Sequence, residues 1–295
     1  MEPVAAIKSA TLNSAREAGL QNLGAVAPGY AADMLLVDDL RELRPCHVFY
    51  AGKLVAQEGR LLAEIEDKSY PLESANSVHV RKLAAEDFTI HPPVSQGKVK
   101  VNLMKYYDMN LSTTDIVCEE VWVKDGRIDI SGDQDLKFVA VVNRYEGNDN
   151  IALGLVRGFG TKTGALASTV SHDSHNLLVM GNNEEDMELA QKRVRELQGG
   201  YVVYAGGKLA AQATLPVGGI LSDQPVSVLG KQLGQVRKAM EDLGYDNNNV
   251  IMSMSTLCLP VSPRLKLTDF GLLEVKSQEK VPLIQTYFDK NGMRI

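Results

Sequence analysis

Two imidazoles, a carboxylate and an amide fall within five consecutive positions, at His172, Asp173, His175 and Asn176. Such a cluster could coordinate a metal ion, move a proton to or from a substrate, or tie a buried hydrogen-bond knot. Spacing bears on the choice. In an extended segment, residues three apart point to opposite faces, so His172 and His175 grip one ion only if the chain bends between them. Upstream, Gly158, Gly160 and Gly164 punctuate a second segment. They form neither a Gly-x-Gly-x-x-Gly fingerprint nor a phosphate loop closed by Lys-Ser/Thr. Glycines so placed allow a positive-φ approach of the backbone to a neighbour or a ligand, or simply a strand-to-strand turn. The remaining histidines, His47, His79 and His91, have no partner at ligand spacing and read as surface or packing residues.

The elements that must carry these residues follow from periodicity and punctuation. Residues 165–170 and 177–180 are apolar runs separated by the polar stretch 171–176, so the cluster sits on a connection between two strands, with a third strand at 138–142. A helix over 184–197 is well specified. Asn182 or Asn183 caps it, acids fill its first turn, Met187, Ala190, Val194 and Leu197 share a face, and Gly199-Gly200 ends it. A second helix runs over 226–243 with Leu229, Leu233, Val236 and Met240 facing inward. Three hairpins, at 48–55, 121–128 and 201–209, use one common glycine turn. The chain opens with a helix over 4–18 and a turn-rich link, followed by an apolar run at 32–38 that reads as a buried strand. The proline-bearing stretch 66–94 is the most linker-like region and puts a domain boundary near residue 70. The sum is an α+β protein.

Composition narrows the function classes. At 44% hydrophobic and 23% charged residues, the 295-residue chain reads as a soluble globular protein of one or two domains. A net charge of −6 disfavours a general nucleic-acid binder. No run approaches the ~18 apolar residues of a membrane span, and the N-terminus has no signal-peptide core. Cys46, Cys118 and Cys258 are widely spaced and odd in number, which suits buried thiols in a reducing cytoplasm. The Cys-x-x-Cys and His-x-Glu of zinc-bound nucleobase deaminases are absent, which excludes that class.

Several blocks together carry a family resemblance. Residues 10–16 (ATLNSAR), 24–29 (GAVAPG) and 32–38 (ADMLLVD) resemble the end of an amidohydrolase-superfamily chain, where the last barrel helix passes into a small β-sandwich. Residues 158–170 (GFGTKTGALASTV), 171–176 (SHDSHN), 215–223 (LPVGGILSD) and 259–269 (LPVSPRLKLTD) resemble the C-terminal domain of adenine deaminases, in family order. The resemblance is continuous from about residue 95 to 275. It implies residues 1–70 as the last barrel helix and part of the β-sandwich, and 71–295 as the adenine deaminase C-terminal α+β domain. It implies a metal-dependent hydrolase of purine metabolism, cytoplasmic, with adenine as substrate. There a hydroxide activated by manganese or iron attacks C6, and hypoxanthine and ammonia result. The resemblance supports the importance of His172, Asp173, His175 and Asn176 but assigns them no particular role. Of an active-site-facing role, a structural knot and an independent metal site, the favoured reading is the first. In it the cluster faces the barrel's mouth and helps to hold or enclose adenine, with Asp173 orienting a histidine. The family's metal ligands, including a His-x-His, fall before this chain's first residue, so no metal is expected on this chain alone. The chain then reads as truncated, one half of a split enzyme, or a non-catalytic purine- or partner-binding domain. Surface that a barrel would cover would drive self-association, or association with a barrel domain. One position departs from the family pattern: Tyr145 stands where a His is expected.

Overall fold

The computed structural model describes residues 1–66, 70–107, 113–145, 149–245 and 249–285. The chain divides into two compact units, Met1–Ser69 and Tyr70–Ile295.

In the first unit, Pro3 opens α1 (Pro3–Lys8). A π-helical turn (Ser9–Asn13) continues into α2 (Ser14–Glu17), and Gly19 at φ +68° ends the run. The hydroxyls of Thr11 and Ser14 donate to the Ile7 and Ser9 carbonyls, each at 2.7 Å, on either side of that wider turn. Strands β1 (Met34–Val37), β2 (Pro45–Tyr50), β3 (Lys53–Gln57) and β4 (Arg60–Leu61) then form an antiparallel meander. The Asp33 carboxylate accepts from the Ala51 amide at 2.8 Å, pinning the β2–β3 turn to the start of β1. One expectation fails here. The strand at 32–38 forms but is not buried, since Leu35 is 59% and Leu36 51% exposed. An apolar run identifies a strand, yet burial needs a covering layer, and Ala15 is the only buried residue described in this unit.

The second unit runs, in chain order, β5 (Gly97–Tyr106), β6 (Thr114–Lys124), β7 (Arg127–Asp129), β8 (Leu136–Val142), β9 (Ile151–Arg157), β10 (Ala165–Ser168) and β11 (Leu177–Gly181). Then come α3 (Glu184–Leu197), β12 (Gly200–Ala205), β13 (Lys208–Thr214), α4 (Val226–Asp242), α5 (Val250–Ser255), β14 (Leu265–Thr268), β15 (Gly271–Glu274) and β16 (Glu279–Val281). Nine strands form one sheet in the order β13-β12-β10-β11-β8-β9-β5-β6-β7, and β14-β15-β16 form a second. Every pairing in the large sheet is antiparallel except β5 with β9. The architecture is α+β.

Both faces of the large sheet are covered, which is why its central strands read as unbroken apolar runs. On one face Phe138, Ala140 and Val142 pack with Met187, Ala190 and Val194 of α3. On the other, Val139 and Val141 pack with Val236 and Met240 of α4 and Leu265 and Leu267 of β14. Helix α3 has the expected bounds: the Asn183 side chain accepts from the Asp186 amide at 2.7 Å, and Gln198 closes the helix at φ +58°. The three hairpins share one turn geometry. Ala51-Gly52, Asp125-Gly126 and Gly206-Gly207 all carry two successive positive φ angles, matching the twist of the flanking strands. No helix among the described residues is long and apolar enough to cross a membrane.

Candidate functional site

Strand direction puts the two sequence-selected segments at opposite ends of the large sheet. Residues 158–164 lead from the end of β9 into the start of β10, where Ala165 pairs with Gly181 and Tyr204. Residues 169–176 leave the other end of β10 and enter β11 at Leu177, which pairs with Val142. A four-residue strand separates them, about 13 Å at the usual rise. The glycines and the histidines therefore do not form one site.

At the glycine end the backbone approaches its own neighbours. A Cβ on Gly158 (φ +100°) would lie 2.1 Å from the Tyr106 carbonyl oxygen, and one on Gly164 (φ +84°) 2.5 Å from that of Tyr204. Gly160 also has positive φ, at +66°. The close approach allowed by the sequence is thus made to β5 and β12.

At the other end, 171–176 is a tight turn and not an extended segment, which corrects the expectation that His172 and His175 diverge. The His175 amide donates to the Ser171 carbonyl at 2.7 Å, and His175 itself adopts φ +52°. The bend brings the two imidazoles to 5.5 Å between centroids, edge to face. The turn is anchored from below, with the His172 amide on the Ser255 carbonyl at 3.0 Å and the Ser171 hydroxyl on the Asn176 carbonyl. Asn176 is buried, and its side-chain oxygen accepts from the Arg144 amide at 3.3 Å, so it serves as a tie between two loops. Asp173 is exposed and makes no hydrogen bond to either ring among the described residues. Its effect on His175 is electrostatic.

The loop after β8 closes over this turn. The Tyr145 hydroxyl donates to the Ser174 carbonyl at 2.5 Å, so the position that departs from the family pattern touches the cluster directly. The Tyr145 amide donates to the Asn143 side-chain oxygen at 2.9 Å. The Asn143 amide group donates in turn to the Asp269 carboxylate at 3.0 Å. Arg144, 4% exposed, lies with its guanidinium 5.1 Å from the Tyr145 ring centroid. It donates to the Ser77 carbonyl (3.2 Å) and hydroxyl (3.3 Å) and to the Gly218 carbonyl (2.9 Å). Gly219 is required beside it: at φ +74°, a Cβ there would lie 2.2 Å from Arg144 Nη1. The Thr169 hydroxyl donates to the Gly219 carbonyl and accepts from the Gly200 amide. Burial, then the His172 and Arg144 charges, hold His175 below the ordinary histidine range, while the Thr169 backbone and Asp173 oppose them. Beneath the turn, burial pushes the Cys258 thiol up to about 12 and the Lys266 ammonium down to about 8.

Arg144, Gly218, Gly219, Ser255 and Asp269 were not singled out from the sequence as site residues. The double glycine was the one available signal, because it marks a place where another group comes close. His91 is an ordinary surface residue, its Nε2 lying 2.9 Å from Glu86, and His47 lies 3.2 Å from Gln57. Among the described residues no three His, Cys, Asp or Glu side chains gather so as to hold a metal ion.

Residues 1–66 match the amidohydrolase family. Residues 112–279 match the adenine deaminase C-terminal domain, and the chain belongs to that family. An adenine deaminase of Moorella thermoacetica is 40% identical over 286 residues, covering 96% of this chain and 48% of that protein. Those of Desulforamulus reducens and Petrotoga mobilis are 38% and 36% identical, covering 96% of this chain and 48% and 49% of theirs. The chain spans about half the length of the curated relatives it matches.

Proposed function

We propose that this chain supplies the C-terminal half of an adenine deaminase, the hydrolase that converts adenine and water to hypoxanthine and ammonia. In this reading residues 1–70 are the last barrel helix and part of the β-sandwich, and 71–295 the C-terminal domain. A divalent metal, manganese or iron, belongs to residues outside these 295. The 172–176 turn faces the substrate, helping to hold or enclose the purine. The observation that carries the reading is convergence. The 171–176 block, the Asn143-Arg144-Tyr145 loop, the Gly218-Gly219 turn and Asp269 lie far apart in sequence yet are hydrogen-bonded into one loop cluster. The open apolar residues of the first unit, Leu35 and Leu36 among them, support association with a barrel or with a second copy. Three free cysteines are in keeping with a cytoplasmic setting.

The test is conversion of adenine to hypoxanthine, followed by the loss of adenine absorbance, with manganese or ferrous iron supplied. The chain alone is expected to give no turnover, and the chain mixed with the N-terminal half of the Moorella thermoacetica relative is expected to restore it. Turnover by the chain alone would place a metal site within it and overturn the reading. Adenine binding without turnover in the mixture would favour a purine-binding domain instead.

A further inference from the structure

The charge balance around the 172–176 turn is unusual. Arg144 is 4% exposed, yet no carboxylate pairs with it among the described residues. Its guanidinium is held only by neutral groups, the Ser77 carbonyl and hydroxyl and the Gly218 carbonyl, and its Nε has no hydrogen-bond partner. A cation buried this way keeps its hydrogen bonds but not its charge compensation, which is costly in a low-dielectric setting. A second unpaired nitrogen lies in the same cluster. His175 Nδ1 is buried without a partner, and its ring is 5.5 Å from that of His172. Two imidazoles and a guanidinium thus meet around one turn whose only acid is the exposed Asp173. The rim formed by Tyr145, Asp173 and Ser174 is open to solvent.

We propose that this corner binds a small oxyanion, a phosphate or carboxylate group, with His172 and His175 as direct donors and Arg144 as the buried charge behind them. The inference goes beyond the deaminase reading and stands without it, because it needs only residues of this chain. The chemistry is specific. An anion compensates the Arg144 charge and meets rings able to donate. Binding is coupled to a proton. His172 and Arg144 disfavour charge on His175, and the Thr169 backbone and Asp173 favour it. An anion against the rings adds to the second group, so His175 takes up a proton as the anion binds. Affinity rises as pH falls through the histidine range.

The experiment is a titration of the full chain with inorganic phosphate at about pH 6, the histidine pKa region. The imidazole C2 protons are followed by NMR, with chloride at matched ionic strength as the control and formate in parallel. Saturable shifts of both His172 and His175 are expected with phosphate, with the His175 titration moving to higher pH. Saturation by formate as well assigns any small oxyanion, and phosphate alone assigns the phosphate class. His172→Gln, on a half-exposed residue, is expected to weaken binding about tenfold by removing one charge-assisted hydrogen bond. Asp173→Asn is expected to tighten it about threefold by removing a repelling charge at the rim. Equal shifts with chloride, or a dissociation constant unmoved by either variant, would overturn the proposal. So would the absence of saturation by both anions.

Discussion

The two ends of the nine-stranded sheet solve different problems with residues that looked equally functional in sequence. At the glycine end, Gly158 and Gly164 let strands cross the path of neighbouring carbonyls, and the space a side chain would need is already filled by backbone. At the histidine end, polar side chains are held half-buried by ties from three other loops, and two nitrogens are left without partners. The first end is tightly packed, although Arg157 Nε and Asn182 Oδ1 there also lack partners, and the second is anchored but open. Glycine marks close approach at both, since Gly219 stands beside Arg144 as Gly158 stands beside Tyr106. What differs is the neighbour: a main-chain carbonyl at one end, a buried cation at the other.

The largest effect should come from filling the tight end. Gly158→Ala combines a φ of +100° with a Cβ 2.1 Å from the Tyr106 carbonyl oxygen, so β5 and β9 must part. The left-handed strain and the overlap together predict a loss of about 4 kcal/mol in urea unfolding. The 172–176 turn, on the other end, should keep its histidine NMR signals wherever the variant is still folded. A near-neutral Gly158→Ala would mean that the glycine end is open and the contrast is false.

The second prediction uses charge. Lys137, at the glycine end of β8, is 1% exposed, and burial lowers its ammonium pKa to about 8 despite the nearby Asp135 and Asp133 charges. In the unfolded chain it keeps its proton up to the ordinary lysine value of 10.5. Between about 8 and 10.5 the unfolded state therefore holds more protons, and stability attributable to Lys137 rises with pH across that window, by about 3 kcal/mol. Lys266, its pKa lowered to about 8, adds a rise of the same sign, whereas Cys258, raised to about 12, acts oppositely above its ordinary value of 9.0. Lys137→Met isolates one contribution. The wild-type-minus-variant difference in unfolding free energy should climb across the window and stay flat below about pH 8. A flat difference throughout would show that Lys137 is solvated and the glycine end is not sealed.

Sequence reading succeeded where structure is local. The Asn183 cap, the four-residue apolar face of α3 and the double positive-φ hairpin turns are each decided within a few residues, so periodicity and turn chemistry suffice. It failed where a distant partner decides. Whether Leu35 and Leu36 are buried depends on what lies over β1, and nothing in 32–38 encodes that. Likewise the ties that build the histidine end join Arg144 to Ser77 and Gly218, and Asn143 to Asp269, across gaps of 67, 74 and 126 positions. The block 171–176 was recognisable as a unit, but its bend was not. A His-Asp-Ser-His string is compatible with strand or turn until the Ser255 carbonyl and the Tyr145 hydroxyl are known to hold it.

The smallest and most local effect tests that hold. Tyr145 is 46% exposed, and its hydroxyl makes one hydrogen bond, to the Ser174 carbonyl. Tyr145→Phe keeps the ring over Arg144 and removes only that bond. The carbonyl is left in an exposed turn where water replaces the lost donor, so about 1 kcal/mol is expected, a fall in Tm of about 3 °C. If the turn is open but anchored, the loss should appear mainly as altered His172 and His175 signals, with the α3 and glycine-end amides unmoved. If stability falls without any change at the two imidazoles, the hydroxyl braces the loop after β8 and not the turn. The difference between the two ends would then rest on Arg144 and Asn176 alone.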